Sequence, residues 1–360
     1  MENKIVILSM YYRNNSITAT KKIFDEVWSR VYNKNLAKLL LIVPKGNRPD
    51  WIAKDSCIEV SYNNNSGFLG RLNVSKKLNH ILWNLPRSIV INDFFPVPFT
   101  GLSKHIHVQF VPHIYTSRES WLRHIGFIQQ ISKMRNSGYV LTISETSKKE
   151  IVDFCNLNSK NIIVSYCGIS NVILQSKVID KSSYIKNYDV LYVATFIRRK
   201  NHMNLIKALP MIGTPIKLAL LGKDLGYRTK VESLIGKLEL QDRVDFLEPV
   251  SESELANLYS CSRIFVSPSL REGFGMPVVE ALATGTPVVC SNLPVFREIA
   301  GSWASYFDPE NPVSIARVLK SSLESSDLSV NQALAAREYV KQKFSWDTIV
   351  GKLLAQLNEL

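Results

Sequence analysis

Residues 267–301 read SPSLREGFGMPVVEALATGTPVVCSNLPVFREIAG, and this stretch decides the fold of the part of the chain around it. A buried strand predicted at residues 263–266 leads into a polar loop that ends at Gly275. A helix is predicted from Pro277, because proline suits the first helical turn, where its missing N–H needs no partner. Residues 285–287 end that helix and residues 288–290 begin another buried strand. The pattern predicts a strand-to-helix crossover of a parallel sheet.

Two carboxylates flank the glycines of this crossover. Glu272 lies at the end of the loop, and Glu280, eight residues further on, is predicted in the first turn of the helix. The partial positive charge of a helix N-terminus favours an anion there. Backbone N–H groups are therefore expected to hold a phosphorylated ligand while the acids contact hydroxyl groups. The alternative is that Glu272 is a solvated loop acid and that Glu280 only balances the helix dipole.

The EGFG loop, the second glutamate and the continuation ALATGTPVV resemble the donor-sugar signature of retaining glycosyltransferases of the family 4 type. The resemblance implies that Glu272 and the residues Gly273, Phe274 and Gly275 face the sugar and the diphosphate. It also implies that Glu280 binds the ribose of the nucleotide. The resemblance is strong over about residues 185–350 and mostly topological over the first half.

The family resemblance implies an α/β fold with two Rossmann-like parallel-sheet domains facing a cleft (GT-B). A chain of 360 residues suits two domains, and its N-terminal half alternates apolar runs with helical segments, as parallel sheets require. The expected division is an acceptor-binding domain at 1–170, an aperiodic linker over 170–187 and a nucleotide-sugar-binding domain at 185–345. A helix at 346–360 is expected to cross back to the first domain. Candidate strands of the first domain are 5–9, 39–43, 89–92, 107–111, 140–144 and 162–165.

The first loop of the second domain reads ATFIRRKN, from Ala194 to Asn201. In the family a glycine stands where this chain has Ala194, and a basic pair follows it. By this resemblance Lys200 is the cation that neutralises the leaving diphosphate, with Arg199 in support and Thr195 nearby. The alternative is a solvated basic turn. Gly222 and Val250 match the positions where the family places the nucleotide base and ribose.

The first domain carries candidates for the acceptor side. His113 follows a predicted strand where the family has a histidine that contacts the donor sugar, although Ile114 replaces the usual aspartate. A lone histidine is otherwise more often structural than catalytic. The loop after the first strand, MYYRNNSITAT, lacks the family's glycines, and its residues 11–14 either line an acceptor pocket or form a polar loop. Arg118, Arg123 and Arg135 follow as candidate contacts for an acceptor phosphate.

Charge is unevenly distributed along the chain. Residues 1–180 contain 23 Lys and Arg against 12 Asp and Glu, whereas residues 181–360 contain 21 against 19. A basic half suits a membrane surface or a lipid diphosphate, or simply keeps the chain soluble. No nucleic-acid motif accompanies it, so nucleic acid is not expected as a partner. Residues 66–87 have the pattern of a basic amphipathic helix, which either lies on an anionic membrane or packs on a sheet.

Other features limit the class of enzyme. The five cysteines show no CxxC spacing, and no apolar run reaches the length of a membrane span, so a cytoplasmic protein is expected. No DxD triplet occurs, which weighs against metal-dependent transferases, so no metal and no cofactor are expected. The resemblance implies transfer of a hexose from a nucleotide sugar, with GDP-mannose favoured over a UDP-hexose, as in bacterial O-antigen and capsule synthesis. The expected acceptor is a lipid-diphosphate-linked saccharide at the inner membrane face. The alternatives are a nucleotide-sugar epimerase and a non-catalytic partner of another transferase.

Overall fold

The computed structural model describes residues 4–10, 12–14, 19–62, 67–92, 104–112, 131–132, 134–176, 188–325 and 330–360. The chain divides into two units: unit 1 contains Met1–Cys167 and Trp346–Leu360, and unit 2 contains Gly168–Ser345. Three residues singled out above, His113, Arg118 and Arg123, lie outside the described residues, as does Tyr11.

Unit 1 is built on a parallel sheet of seven strands. The strands are β1 (Lys4–Leu8), β2 (Lys38–Pro44), β3 (Cys57–Val60), β4 (Ile89–Asn92), β5 (Ile106–Phe110), β6 (Tyr139–Thr142) and β7 (Ile162–Val164). Their order in the sheet is β3-β2-β1-β4-β5-β6-β7. The predicted strands are present within one or two residues of their expected ends. Strand β3 was not predicted, because a four-residue edge strand that contains Glu59 carries too short an apolar pattern.

Helices cover both faces of this sheet, so that the central strand β1 is buried and apolar from Ile5 to Leu8. Ile5 and Ile7 of β1 pack in one core cluster with Trp28 and with Leu353 of the C-terminal helix. Their neighbours Val6 and Leu8 point to the opposite face. The described helices of unit 1 are Ala19–Asn33, Gly67–Asn84, Glu145–Cys155 and Trp346–Asn358.

The helix Gly67–Asn84 settles one of the alternatives for residues 66–87. Its residues Val74, Leu78 and Leu82 are buried in the same core cluster as Val6 and Leu8, so its apolar face packs on the sheet. The helix runs from Gly67 to Asn84, within the predicted segment 66–87. Within the described part of the chain, no helix is both long enough and apolar enough to cross a membrane.

Unit 2 contains a parallel sheet of six strands. The strands are β8 (Tyr188–Val193), β9 (Leu218–Leu221), β10 (Val244–Leu247), β11 (Ser262–Ser267), β12 (Val288–Ser291) and β13 (Ala304–Phe307). Their order in the sheet is β10-β9-β8-β11-β12-β13. The strand order reverses between β8 and β11, and in such sheets ligands bind beyond the carboxyl ends of the strands at this switch point. The described helices are Asn171–Gln175, His202–Ala208, Arg228–Lys237, Glu252–Ser260, Met276–Ala283, Pro294–Ala300, Pro312–Glu324 and Val330–Phe344.

The expected linker contains a short helix. Asn171–Gln175 is helical, because the Oγ atom of Ser170 accepts a hydrogen bond from the nitrogen of Ile173 at 3.4 Å and caps the first turn. Five residues are too few for a detectable apolar period, which explains why the sequence pattern indicated no element there.

Candidate active site

The loops that follow β8 and β11 meet at the switch point of the second sheet. Lys200 and Arg199 come from the first of these loops, and Glu272 comes from the second. The Lys200 Nζ atom donates a hydrogen bond to Oε1 of Glu272, and Arg199 Nη1 lies 3.2 Å from Oε2 of the same carboxylate. The structure therefore brings together three of the predicted site residues, although Glu272 lies 73 positions after Arg199 and 72 after Lys200 in the chain.

Asn201 fixes the loop that carries the two cations. Its backbone is left-handed, with φ of 57°, between the turn Arg198–Lys200 and the helix His202–Ala208. Its Nδ2 atom donates to the carbonyl oxygens of Pro268, at 2.9 Å, and Pro309, at 2.7 Å. Arg199 is tied to the second loop as well, since its carbonyl oxygen accepts a hydrogen bond from the nitrogen of Leu270 at 2.8 Å. These hydrogen bonds fix the positions of the two loops relative to each other.

The Glu272 carboxylate is nearly enclosed, with only 9 % of its side chain exposed. Ser269 Oγ donates to Oε1 at 2.7 Å, so both oxygens have partners. Burial raises the pKa of this carboxyl, but Lys200 and Arg199 outweigh burial, and the pKa lies below its usual value. Glu272 is therefore ionised at neutral pH. Together with its two cations it forms a cluster of net charge about +1, which suits an anionic ligand.

Two glycines at this end of the sheet are required by close packing. A Cβ atom at Gly222 would lie 1.9 Å from the carbonyl oxygen of Ala194 and 3.1 Å from the nitrogen of Thr195, so the loops after β8 and β9 touch through their backbones. Gly275 has φ of +106°, and a Cβ there would lie 2.5 Å from the ring of Phe296. The conformation and the space at Gly275 both demand glycine.

Phe274 and Gly273 complete the predicted glycine-rich loop. The Phe274 ring is buried, and its centroid lies 5.6 Å from that of Phe344 in an edge-on arrangement. Only the backbone of Phe274 is therefore suited to contact a ligand, whereas its side chain anchors the loop in the core of unit 2. Contact of Gly273 with a diphosphate stays a prediction.

The position of Glu280 within its helix differs from the expectation. The helix is Met276–Ala283, with Gly275 as its N-cap, so Glu280 is the fifth helical residue and lies beyond the first turn. It is buried, and its Oε2 atom accepts a hydrogen bond from the hydroxyl of Tyr259 at 2.9 Å. The predicted first-turn position was wrong, because the helix begins at Met276, one residue earlier than expected, and the carboxylate lies further from the unpaired N–H groups. Its predicted contact with a ribose stays a prediction.

The remaining predicted residues occupy separate positions in unit 2. Val250 is exposed and lies just before the helix Glu252–Ser260, while Thr195 is half-buried beside Gly222. Ser269 and Tyr259 were not predicted as site residues. Ser269 was detectable as a hydroxyl residue three positions before Glu272, whereas nothing in the sequence connects Tyr259 to Glu280.

Unit 1 has a cavity of about 310 Å³ at the carboxyl ends of its strands. Most of its lining is apolar, with Tyr12, Arg13 and Lys21 among the polar exceptions. Tyr12 donates to Oδ1 of Asp25 at 2.8 Å, and Lys21 pairs with the other carboxylate oxygen. Tyr12 and Arg13 were predicted to line either a pocket or a polar loop, and the structure places them in a pocket wall.

Comparison with protein families identifies the part of the chain that contains this cluster. Residues 176–340 match the family model described as glycosyl transferases group 1. Over 147 residues the chain is 35 % identical to the O-antigen chain mannosyltransferase RfbU of Salmonella typhimurium. That match covers 39 % of this chain and 41 % of the relative, so the chain spans about two fifths of the length of this curated protein.

Solved structures extend the fold assignment to both units. A glycosyltransferase from Rickettsia africae ESF-5 matches with a TM-score of 0.74, at 18 % identity, over 99 % of this chain and 98 % of that one. Anabaena Alr3699/HepE, solved in complex with UDP and glucose, matches with a TM-score of 0.75, at 17 % identity, over 99 % and 100 % of the two chains. Both sheets therefore have the GT-B arrangement of strands, and residues 176–340 are similar to the group 1 glycosyltransferases.

Proposed function

We propose that this protein transfers a hexose, with retention of configuration, from a nucleotide diphosphate sugar to a hydroxyl group of a lipid-linked oligosaccharide. The observation that carries the proposal is the cluster of Lys200, Arg199 and Glu272 at the switch point of the second sheet. A group 1 glycosyltransferase match over the same residues supports it. Unit 2 is the donor-binding half in this proposal.

The two cations of the cluster suit the donor's diphosphate. The cluster keeps a net positive charge after Glu272 is paired, so an arriving diphosphate finds uncompensated charge rather than a neutral ion pair. Arg199 is about half exposed, with 48 % of its side chain accessible, and can turn from the carboxylate to a phosphate oxygen. Cations fixed before the reaction stabilise the charge that develops on the leaving group without further reorganisation.

The reaction itself needs no nucleophile from the protein. The bond between the anomeric carbon and the diphosphate oxygen breaks, and a bond from that carbon to the acceptor oxygen forms on the same face. The acceptor's proton passes to the leaving diphosphate. Lys200 and Arg199 carry the charge of the departing group in this scheme, Glu272 orients sugar hydroxyls, and Glu280 holds the ribose. We propose no metal in this step.

The donor sugar is proposed to be mannose, carried by GDP. The support is the similarity over 147 residues to an O-antigen chain mannosyltransferase. A UDP-hexose is the second candidate, because Alr3699/HepE, a structural neighbour, was solved with UDP and glucose. The two differ in the base, which a comparison of GDP with UDP distinguishes directly.

The acceptor is proposed to occupy the unit 1 cavity. Its apolar interior suits the apolar part of an amphiphile, and Arg13 and Lys21 in its wall suit a phosphate group. The whole N-terminal half is basic, which suits a diphosphate-linked acceptor at the cytoplasmic face of an anionic membrane. We propose that the protein acts there as a peripheral enzyme of surface polysaccharide synthesis.

A donor panel tests the proposal. The thermal midpoint of the full chain is measured with GDP-mannose, GDP, UDP-glucose and UDP, and the saccharide products are then analysed with the stabilising donor. We expect GDP and GDP-mannose to raise the midpoint. Glu272→Gln is expected to lower the rate of transfer by at least about 100-fold while the protein stays folded. Glu310→Gln, which changes an exposed glutamate, is the matched control and is expected to retain activity.

Three outcomes contradict the proposal. Full activity of Glu272→Gln would show that the carboxylate of Glu272 has no role in transfer. An epimerised nucleotide sugar formed from the donor alone would identify an epimerase. Stabilisation by a donor without any product, across a range of saccharide acceptors, would identify a non-catalytic partner of another transferase.

A further inference from the structure

The helix Gly67–Asn84 of unit 1 has an outer face that core packing does not explain. Its inner face, with Val74, Leu78 and Leu82, is buried against the first sheet. On the outer face Lys76, Lys77 and His80 are exposed, and Trp83 has 57 % of its surface in solvent. Trp83 is the largest hydrophobic side chain that the described part of the chain leaves exposed.

The chain around this tryptophan is basic. Residues 60–92 contain no Asp or Glu and four basic residues, Arg71, Lys76, Lys77 and Arg87. Lys104 joins them from outside the helix, since its Nζ atom donates to the carbonyl oxygen of Trp83 and lies 5.9 Å from the centroid of its ring. The carbonyl and the ring thus hold one cation directly beside the exposed indole.

An exposed indole among cations matches the chemistry of an anionic membrane surface. Tryptophan favours the boundary between headgroups and acyl chains, because its ring is apolar and its N–H is polar. Lysine and arginine at that depth gain from the negative potential of anionic lipids. A helix that is packed on a sheet by its inner face and carries these residues on its outer face can lie flat on a bilayer without unfolding.

We propose that Lys76, Lys77, Trp83, Arg87 and Lys104, hereafter the Trp83 surface, dock unit 1 on an anionic bilayer. The inference rests on the proposed function in one respect, because a lipid-linked acceptor supplies the reason for the enzyme to stay at a membrane. The charge of the surface also suits an acidic protein. The exposed indole favours the bilayer, since a tryptophan inserts among lipids of any headgroup whereas a protein partner must offer a fitted pocket.

Vesicle flotation with the full chain tests the Trp83 surface. The vesicles contain phosphatidylcholine alone or phosphatidylcholine with 30 % phosphatidylglycerol, at about 50 mM and about 500 mM salt. We expect binding to the anionic vesicles at low salt and release at high salt. The double variant Lys76→Glu with Lys77→Glu is expected to bind roughly 25-fold more weakly or worse, since each lysine removed costs about fivefold in affinity.

Insertion of the indole is measured separately. Vesicles with brominated acyl chains quench tryptophan fluorescence at the depth of the chains, and Trp83→Phe is expected to lose most of that quenching although five other tryptophans remain. The control for charge is Arg317→Glu with Lys320→Glu, two exposed residues on the helix Pro312–Glu324 of unit 2. The control for an exposed aromatic residue is Phe154→Ala, which changes a phenylalanine that is 56 % exposed. Both controls are expected to bind as the wild type does.

The outcomes separate this inference from the proposed function. Transfer to a water-soluble acceptor is measured for every variant and is expected to stay at the wild-type level. Unchanged vesicle binding of the Lys76→Glu, Lys77→Glu variant would overturn the role of the Trp83 surface in membrane docking. A wild type that binds no vesicle would also overturn it and would favour an acidic protein as the partner of this surface. Equal binding to neutral and anionic vesicles would overturn the role of the cations. Absence of transfer by a protein that binds anionic vesicles would instead contradict the proposed function.

Discussion

Lys200 donates a hydrogen bond to the carboxylate of Glu272, 72 residues further along the chain. Both side chains are largely enclosed, with 14 % and 9 % exposed. The pair connects the loop after the first strand of the second sheet to the loop after the fourth. It therefore ties together the two sides of the switch point, and the stability of unit 2 and the shape of its site depend on the same contact.

Removal of Lys200 leaves the buried carboxylate of Glu272 with Arg199, a more exposed partner. Lys200→Met is expected to lower the free energy of unfolding by about 2–3 kcal/mol, less than for an isolated buried pair, because Arg199 still contacts Glu272. A double-mutant cycle with Glu272→Gln is expected to give a coupling energy of about 1–3 kcal/mol. Urea unfolding of the four proteins at pH 7 measures it. Additive effects of the two changes would contradict the ion pair.

The same pair predicts a pH dependence. The pKa of Glu272 is lower in the folded protein than the usual 4.5, because the two cations outweigh its burial. Its contribution to stability is therefore complete above the unfolded pKa and is lost as pH falls through the folded pKa. The difference in stability between the wild type and Glu272→Gln is expected to be constant from pH 7 to about pH 5 and to shrink below pH 4.5. A difference that grows as pH falls would contradict the direction of the shift.

Asn201 is expected to act on the site through the backbone that it holds. Asn201→Ala removes the bonds to the carbonyl oxygens of Pro268 and Pro309 and places a β-carbon at φ of 57°. Asn201→Gly removes the same bonds but tolerates that φ, so it is expected to be about 1 kcal/mol more stable than Asn201→Ala. Both variants are expected to raise the KM for the donor, because Arg199 and Lys200 are no longer held in fixed positions beside Glu272. Donor kinetics and urea unfolding of both variants check this expectation, which a wild-type KM in either variant would contradict.

His202 is expected to destabilise the protein in mild acid. Its ring stacks on Phe196 at 4.6 Å and contacts Tyr192 at 4.8 Å, and neither ring nitrogen has a hydrogen-bond partner among the described residues. Burial, with the charge of Lys200, lowers its pKa to about 3. Because the unfolded chain takes up the proton at about pH 6.5, stability falls as pH decreases from that value toward 3.

His202→Phe measures this effect. Between pH 7 and pH 5, His202 is expected to lower the free energy of unfolding of the wild type by about 2 kcal/mol. The decrease for the variant over the same pH range is expected to be smaller by this amount. The phenylalanine also removes two unpaired ring nitrogens, so the variant is expected to be at least as stable as the wild type at pH 7. His80→Gln, which changes an exposed histidine rather than a buried one, is the matched control. Equal slopes for His202→Phe and the wild type would refute the prediction.

Gly222 and Gly236 form a matched pair for the packing of the site. A Cβ at Gly222 meets the carbonyl of Ala194 at 1.9 Å, whereas nothing lies within 4 Å of a Cβ at Gly236, in the helix Arg228–Lys237. Gly222→Ala is expected to cost roughly 2–4 kcal/mol of stability and to weaken donor binding. Gly236→Ala is expected to stabilise by about 0.5–1 kcal/mol. Thermal midpoints with and without donor check both, and a neutral Gly222→Ala would show that the two loops can separate freely.

Local features of the fold were predictable from the sequence where neighbours in the chain decide them. The alternation of apolar runs and helical segments predicted six strands of the first sheet. Ser144 caps the helix Glu145–Cys155, since its Oγ atom accepts from the nitrogen of Ser147 at 3.0 Å. The short strand Cys57–Val60 and the five-residue helix Asn171–Gln175 were missed, because tertiary packing rather than a local pattern stabilises elements of that length.

By itself the sequence determined the strand-to-helix crossover at residues 267–301. It also predicted Lys200, Arg199 and Glu272 as site residues, since each belongs to a short motif whose spacing is recognisable within its own segment. Only the tertiary structure decided that these three side chains form one ion-paired cluster, that Glu280 is bonded to Tyr259, and that Trp83 faces solvent. The physical reason is that the strand order of a parallel sheet brings distant loops together, and no local pattern in the chain states which loops will meet.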